Sequence, residues 1–385
     1  MKIAYLCDIS PEHTQPYSGG NARIYEALRN HVGDVDILPQ SWGLAEPLRQ
    51  AIYALPDSAN LRLRWRMHLA LGRVIARNVT QALAKTKYDV VFGAYSFQSM
   101  TALKTPYPML KAYTADATFT AYRRSEIGRN FGASWAARNL LDPLTLRAER
   151  QIYRNLDIML WPSEWLKREA DALYGLNDSQ SLVLPWGANI DAVPAETSPR
   201  SLSADAPVEL LVVGRDWFAK GGPQAFEAMQ ILRAAGVDAR LTVVGTTPPE
   251  FHQNEYVTIY PSLNKAVPEE KAKFEAALRQ AHFLVQPSFE SWGFAFCEAA
   301  AFGLPSLCLN VGGVPVRDGV TGHALPRGAG AREFADIIRG YLQNPARYGA
   351  LRLSSRDAYE TQLNWDSWGK SVQQIFEKRL SSLSL

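Results

Sequence analysis

Short, nearly continuous apolar runs, each too short for a helix, alternate along this chain with longer segments of helical apolar spacing, and the alternation occurs twice. In the first half the runs lie at 2–7, 35–38, 90–95, 109–114, 158–162 and 182–185. Runs without polar alternation read as strands buried on both faces, the pattern of a parallel sheet covered by helices. Segments such as 22–31 and 61–85 supply the helices between them, which makes βαβ units. The second half repeats the pattern at 208–214, 241–245, 257–260, 283–286 and 306–309, with a weaker run at 323–325.

With 385 residues the chain exceeds the usual size of one domain, and each half is long enough for its own core. Residues 191–207, rich in Pro, Ser and Ala and poor in apolar periodicity, read as the linker. The expected division is a first domain at 1–190, the linker, a second domain at 208–364, and a last segment at 365–385. Doubly wound domains bind ligands at the carboxyl ends of their strands, so two of them facing one cleft would offer one wall to each of two substrates.

Composition is that of a globular protein, 47% apolar and 21% charged. The three cysteines, Cys7, Cys297 and Cys308, have no metal-ligand spacing, and a reduced cytoplasmic protein is expected. The first strand soon meets Asp8, unlike a signal peptide, and no apolar run approaches the roughly 20 residues that span a bilayer. Residues 1–190 carry 22 Lys+Arg against 17 Asp+Glu, much of the excess being arginine at 62, 64, 66, 73, 77, 123, 124 and 129. Such a face suits a solvated helix, or peripheral contact with an anionic membrane or an acidic acceptor.

Two loops carry chemistry. After the run at 283–286, Glu290-Ser291-Trp292-Gly293-Phe294-Ala295-Phe296-Cys297-Glu298 sets two carboxylates eight residues apart around a glycine turn. A strand that ends in such a turn and opens a helix gathers free N–H groups and the positive helix end at one spot, which suits a phosphate. Glu298, about two turns into the helix, is placed to accept hydrogen bonds from sugar hydroxyls. Together the acids read as a clamp on a phosphorylated sugar.

This stretch and its tail Glu298-Ala299-Ala300-Ala301-Phe302-Gly303-Leu304-Pro305 resemble the Glu-x7-Glu signature of the retaining, two-domain GT-B glycosyltransferases called group 1 or family 4. Gly214-Arg215-Asp216-Trp217-Phe218-Ala219-Lys220-Gly221-Gly222, placed after the first strand of the second domain, is similar to the family's Gly-Arg-x4-Lys-Gly loop. An arginine fork and a lysine point charge there suit a diphosphate. Tyr17-Ser18-Gly19-Gly20-Asn21 resembles the family's glycine loop on the first domain. The resemblance covers most of the second half and, more loosely, the first.

The resemblance implies an α/β GT-B fold of two Rossmann-like doubly wound domains facing one cleft, with a C-terminal helix crossing back to the first domain, where Trp365 and Trp368 would pin it. It implies a nucleoside-diphosphate sugar as donor, a glycan or lipid-linked glycan as acceptor, and neither cofactor nor metal. Arg215, Lys220 and Glu290 take the catalytic roles. Gly19, Gly20, Leu263, Ser291, Trp292, Gly293, Phe294 and Glu298 take donor-binding ones, with Glu298 on the ribose and Leu263 in the segment that meets the base through backbone groups. Where many members have a histidine beside the donor sugar, this chain has Ala115, followed by Asp116 as a sugar or acceptor contact. The six histidines, at 13, 31, 68, 252, 282 and 323, form no ligand pair. A GT-B sugar-nucleotide epimerase and a catalytically inert GT-B-like binding subunit are the alternatives. The absence of Gly-x-Gly-x-x-Gly and Gly-x-Ser-x-Gly motifs at the strand ends argues against a dinucleotide oxidoreductase and a hydrolase.

Overall fold

The computed structural model of the protein describes residues 1–385 apart from 14, 15, 39, 56–62, 64, 65, 131–137, 192, 194–201, 204, 384 and 385. Arg62 and Arg64, and most of the expected linker, therefore lie outside the described residues. The apolar runs form two six-stranded sheets, parallel throughout. The first contains β1 (Lys2–Leu6), β2 (Asp34–Ile37), β3 (Val90–Ala94), β4 (Leu110–Thr114), β5 (Ile158–Trp161) and β6 (Ser181–Val183), in the order β2-β1-β3-β4-β5-β6. The second contains β7 (Val208–Val213), β8 (Ala239–Val244), β9 (Val257–Tyr260), β10 (Phe283–Val285), β11 (Ser306–Leu309) and β12 (Gly322–Leu325), in the order β12-β11-β10-β7-β8-β9.

That second order follows from the sequence of βαβ crossovers. Two strands, β8 and β9, are laid outward from β7, and the chain then returns to lay three, β10, β11 and β12, on its other side. The reversal leaves β7 and β10 as neighbours with their following loops diverging at the carboxyl edge, where such sheets open a crevice. In the first sheet the corresponding reversal lies between β1 and β3. β3 and β5 are buried along their whole length, as the absence of polar alternation in their sequences requires.

The chain divides into two compact units, one of residues 1–121, 133–185 and 365–385, the other of 122–132 and 186–364. Three points differ from the division read from the sequence. The second unit begins at Trp186, a fully buried indole stacked on Phe294 at 5.9 Å, rather than after residue 207. Leu202, inside the expected linker, is buried in the second core beside Val208 and Phe226. Residues 122–132 group with the second unit although first-unit sequence flanks them.

The helix Gly222–Ala234 covers β7 and β8 with Phe226, Met229 and Leu232, which join Phe334 and Ile338 in the second core. In the first unit the C-terminal helix Trp365–Leu383 packs Trp368 and Phe376 on Phe92 of β3, with ring centroids 6.4 and 6.2 Å away. Asp366 meets His31 at 2.8 Å, and Gly369 gives the His31 ring room that a Cβ, 2.5 Å from it, would fill. Trp365 contributes by its ring contact with Trp368 at 5.7 Å.

Among the described residues of the first unit two acids are buried, Asp8 and Glu149. Glu149 is fully buried and accepts from the backbone amides of Phe119 and Thr120, the first turn of the helix Phe119–Arg124, and from the Tyr174 hydroxyl at 3.0 Å. Burial pushes its carboxyl from the ordinary 4.5 up to about 7, against the opposing pull of these donors. A carboxyl raised in the folded state holds its proton there longer than in the unfolded chain, so stability is present at low pH and falls as pH climbs from about 4.5 through about 7. Replacing Glu149 by Gln removes that titration. The thermal stability of Glu149→Gln relative to wild type should improve by roughly 1–3 kcal/mol between pH 5 and pH 8. Parallel pH profiles of the two proteins would contradict this placement.

Candidate active site

The loop after β7 doubles back on itself. Asp216 Oδ1 accepts from the Ala219 amide at 2.9 Å, and its carbonyl accepts from the Lys220 amide at 3.0 Å. Lys220 is thereby turned over Gly214, where a Cβ would stand 2.4 Å from the lysine Cγ. Gly221 caps the helix Gly222–Ala234 with φ 72°. A Cβ at Gly221 would lie 2.5 Å from Pro287 Cγ and 2.6 Å from its carbonyl oxygen, so this glycine lets the β7 loop touch the β10 loop.

Glu290 is held by that second loop. Its backbone bridges to Gly312, and the Gly313 amide donates to its carbonyl at 2.9 Å. Gly312 has φ 68° and comes so close that a Cβ would stand 2.2 Å from the Glu290 oxygen. The carboxylate accepts from Lys220 Nζ and, at 2.8 Å, from the Ser288 hydroxyl, both on Oε1. The glutamate side chain is 13% exposed and the lysine 24%. Oε2 accepts no hydrogen bond among the described residues and is open to ligand hydroxyls. Arg215, by contrast, is exposed and has no partner among the described residues. The sequence placed Arg215 and Lys220 together on an anion. In the structure Lys220 pairs with Glu290 across the switch point, while Arg215 stands outside the pair.

Glu298 lies in the helix Phe294–Ala301, which Gly293 caps with φ 111°. Its side chain is only 5% exposed, and Lys265 Nζ donates to Oε1 at 2.6 Å. Lys265 comes from the segment after β9 and lies 4.1 Å over the Phe274 ring. Leu263, two residues earlier, and Ser291 are half-buried in the loops that follow β9 and β10. The Trp292 indole is 3% exposed and packs edge-on against Trp186 at 6.5 Å, so its ring is part of the core. Lys265 is a site neighbour that the sequence did not reveal, because it reaches Glu298 from the segment after β9.

In the first unit Gly19, with φ 85°, caps the helix Gly20–His31, and Tyr17 and Ser18 before it also have positive φ, 55° and 53°. The Tyr17 hydroxyl donates to Asp8 at 2.9 Å, and its ring stacks on Tyr95 at 4.2 Å. This is the carboxyl edge of β1 and β3. Strained residues gather at such edges when their surroundings over-determine them. Asp116 follows β4, after Ala115, which is 3% exposed and leaves little space for a larger ring.

Residues 207–344 match the family described as Glycosyl transferases group 1. A glycogen synthase of Mycobacterium tuberculosis is 26% identical over 264 residues, 66% of this chain, and the match spans 61% of that relative's length. Among solved structures, a sucrose-phosphate synthase from Thermosynechococcus elongatus aligns over 99% of both chains with a TM-score of 0.66 at 20% identity. HepE of Anabaena, solved in complex with UDP and glucose, aligns over 99% of this chain and 100% of its own with a TM-score of 0.61 at 14% identity. The family match thus lies within the second half of the chain, and the two Rossmann-like sheets have the GT-B fold of these solved structures.

The contact between the two loops is open to test by glycine substitution. Gly221→Ala meets both a left-handed φ and the Pro287 backbone, whereas Gly236→Ala, at φ 85° with nothing within 4 Å, meets the φ alone. Gly236→Ala should cost about 1 kcal/mol and Gly221→Ala at least about 1–3 kcal/mol more by denaturant unfolding. Equal losses would mean that the loops do not touch.

Proposed function

We propose that this protein is a retaining, metal-independent glycosyltransferase that moves a hexose-like unit from a nucleoside-diphosphate sugar to a hydroxyl of a glycan or lipid-linked glycan. The observation that carries the reading is the pairing of Lys220 with Glu290 at the switch point of the second sheet, with Glu298 two helical turns further on. In the reaction the acceptor oxygen bonds to the anomeric carbon on the face from which the diphosphate leaves. The carbon–oxygen bond to phosphate breaks, and the leaving phosphate oxygen takes the acceptor proton.

Arg215 and Lys220 stabilise the charge that develops on the leaving diphosphate, aided by N–H groups at the turn 292–294. Glu290 accepts from hydroxyls of the donor sugar, and Glu298 from the ribose. In the first unit, the Gly19-Gly20 turn faces donor phosphates and Asp116 meets a sugar or acceptor hydroxyl. Among the described residues no group of three or more His, Cys, Asp and Glu is arranged to hold a metal ion. No helix among them is long and apolar enough to cross a membrane. The exposed Arg66, Arg73 and Arg77 are the described part of the surface proposed to meet an anionic membrane or acceptor.

A panel of sugar nucleotides screened by thermal shift identifies the donor, since a ligand that binds only the folded state raises its apparent stability. With that donor, NMR of the product should show retained anomeric configuration, and EDTA should leave the rate within about twofold, as expected when protein cations rather than a metal stabilise the leaving group. An inverted product or loss of activity with EDTA would overturn the mechanism. The acids should also separate. Glu298→Gln should weaken bare nucleoside-diphosphate binding by roughly 1.5–3 kcal/mol, the scale of a hydrogen bond to a charged group. Glu290→Gln should leave that affinity nearly intact and depress kcat. Equal loss of affinity in calorimetry would contradict the division of roles.

A further inference from the structure

Glu290 is the residue on which the proposed chemistry turns, and its own loop is only part of what fixes it. Its neighbours are a serine two residues back and a glycine turn three residues on. Further contacts come from a stretch of first-half sequence, residues 122–132, that groups with the second compact unit. Ile127, in the five-residue helix Glu126–Asn130, is 2% exposed. Its Cδ1 stands 2.6 Å from where a Cβ on Gly312 would be, so its methyl presses on the turn that bridges the Glu290 backbone. Glu126, the preceding residue, forms an ion pair with Arg327, and the Arg327 guanidinium lies 5.9 Å over the ring of Phe289, the residue before Glu290.

Two adjacent residues thus grip the Glu290 loop from both sides, one through Gly312 and one through Arg327 and Phe289. We infer that Glu126 and Ile127 form a clamp that positions the Glu290 carboxylate, with Ile127 as its principal positioning residue. The inference rests on the assignment of Glu290 to the donor sugar. The two arms differ in strength. Ile127, 2% exposed, acts by close packing, whereas Arg327 and Glu126 are 61% and 35% exposed, a setting in which an ion pair contributes little. The clamp touches neither Lys265 nor Glu298, so nucleotide binding is not its target. A carboxylate displaced by a fraction of an ångström still contacts a bound donor but no longer aligns it, which lowers kcat and leaves affinity in place.

The test measures Ile127→Ala, Ile127→Leu and Arg327→Ala beside Glu290→Gln in the full chain, using the sugar nucleotide selected by the thermal-shift panel. Ile127→Ala should lose about 10-fold in kcat with donor KM changed by less than about twofold, and Ile127→Leu should recover most of the loss. Arg327→Ala should lose about threefold or less. Hydrogen exchange at the Gly313 amide, which donates to the Glu290 carbonyl, should quicken by about 10-fold in Ile127→Ala. If Glu290→Gln is impaired while Ile127→Ala turns over like wild type, or if Ile127→Ala raises KM with kcat unchanged, the clamp is refuted. If Glu290→Gln turns over normally, the functional reading fails instead, and the Gly313 exchange rate alone decides whether Ile127 holds the loop. Should Ile127→Ala not fold, Ile127→Val takes its place under the same criteria.

Discussion

Two loops separated by 70 residues in sequence meet because β7 and β10 are neighbours, and the Lys220–Glu290 pair is the point where they join. A half-buried ion pair of this kind is a poor source of stability, since removing both charges from water offsets most of their attraction. Its value is geometric. A lysine stem laid across Gly214, a helix cap at Gly221 set against Pro287, and a glutamate backbone bridged to Gly312 leave each charge few other positions. The small residues are there because the two loops approach to backbone contact. The strand order that brings them together is the consequence of burying twelve apolar runs in two covered sheets.

The first unit obeys the same grammar with different stakes at its carboxyl edge. Tyr17, Ser18 and Tyr95 all adopt positive φ, a conformation that costs a non-glycine residue on the order of 1–3 kcal/mol. Tyr17 and Tyr95 stack on each other at 4.2 Å, and the same unit buries an aromatic cluster of Tyr113, Tyr153, Trp161 and Tyr174, with Tyr153 and Tyr174 centred 4.8 Å apart. Glu149 sits in that cluster because the first turn of the helix Phe119–Arg124 needs acceptors and Thr118 alone does not supply them all. The same helix leads the chain into the stretch 122–132, which groups with the second unit.

The sheets were legible because a parallel strand buried on both faces cannot hide its apolar run, and all twelve observed strands fall within a residue or two of those runs. The glycines at 221 and 293 and the acids at 290 and 298 were legible for a similar reason, since strand, turn and helix are consecutive there. What the sequence could not express were partners set by tertiary approach. Lys265 lies 33 residues before Glu298 in a segment with no motif of its own, and Ile127 reaches Gly312 from a stretch that reads as first-domain sequence. Leu202 was read as linker because its neighbours are polar, yet one apolar side chain suffices to bury it in the second core.

The two lysines also resolve a difficulty in the acidic signature itself. Two carboxylates close to a phosphate site would repel a diphosphate if they stood alone, and burial would strengthen that repulsion by lowering the local dielectric. Lys220 on Glu290 and Lys265 on Glu298 cancel those charges while each lysine occupies a single carboxylate oxygen. The remaining oxygens are still hydrogen-bond acceptors, suited to neutral hydroxyls. Under the proposed function, Lys220 is shared between Glu290 and the diphosphate, and the exposed Arg215 and the amino ends of the helices Gly222–Ala234 and Phe294–Ala301 add to it. The paired acids thereby keep free acceptor oxygens beside an exposed cation, the division of charge that the proposed phosphorylated-sugar donor would require.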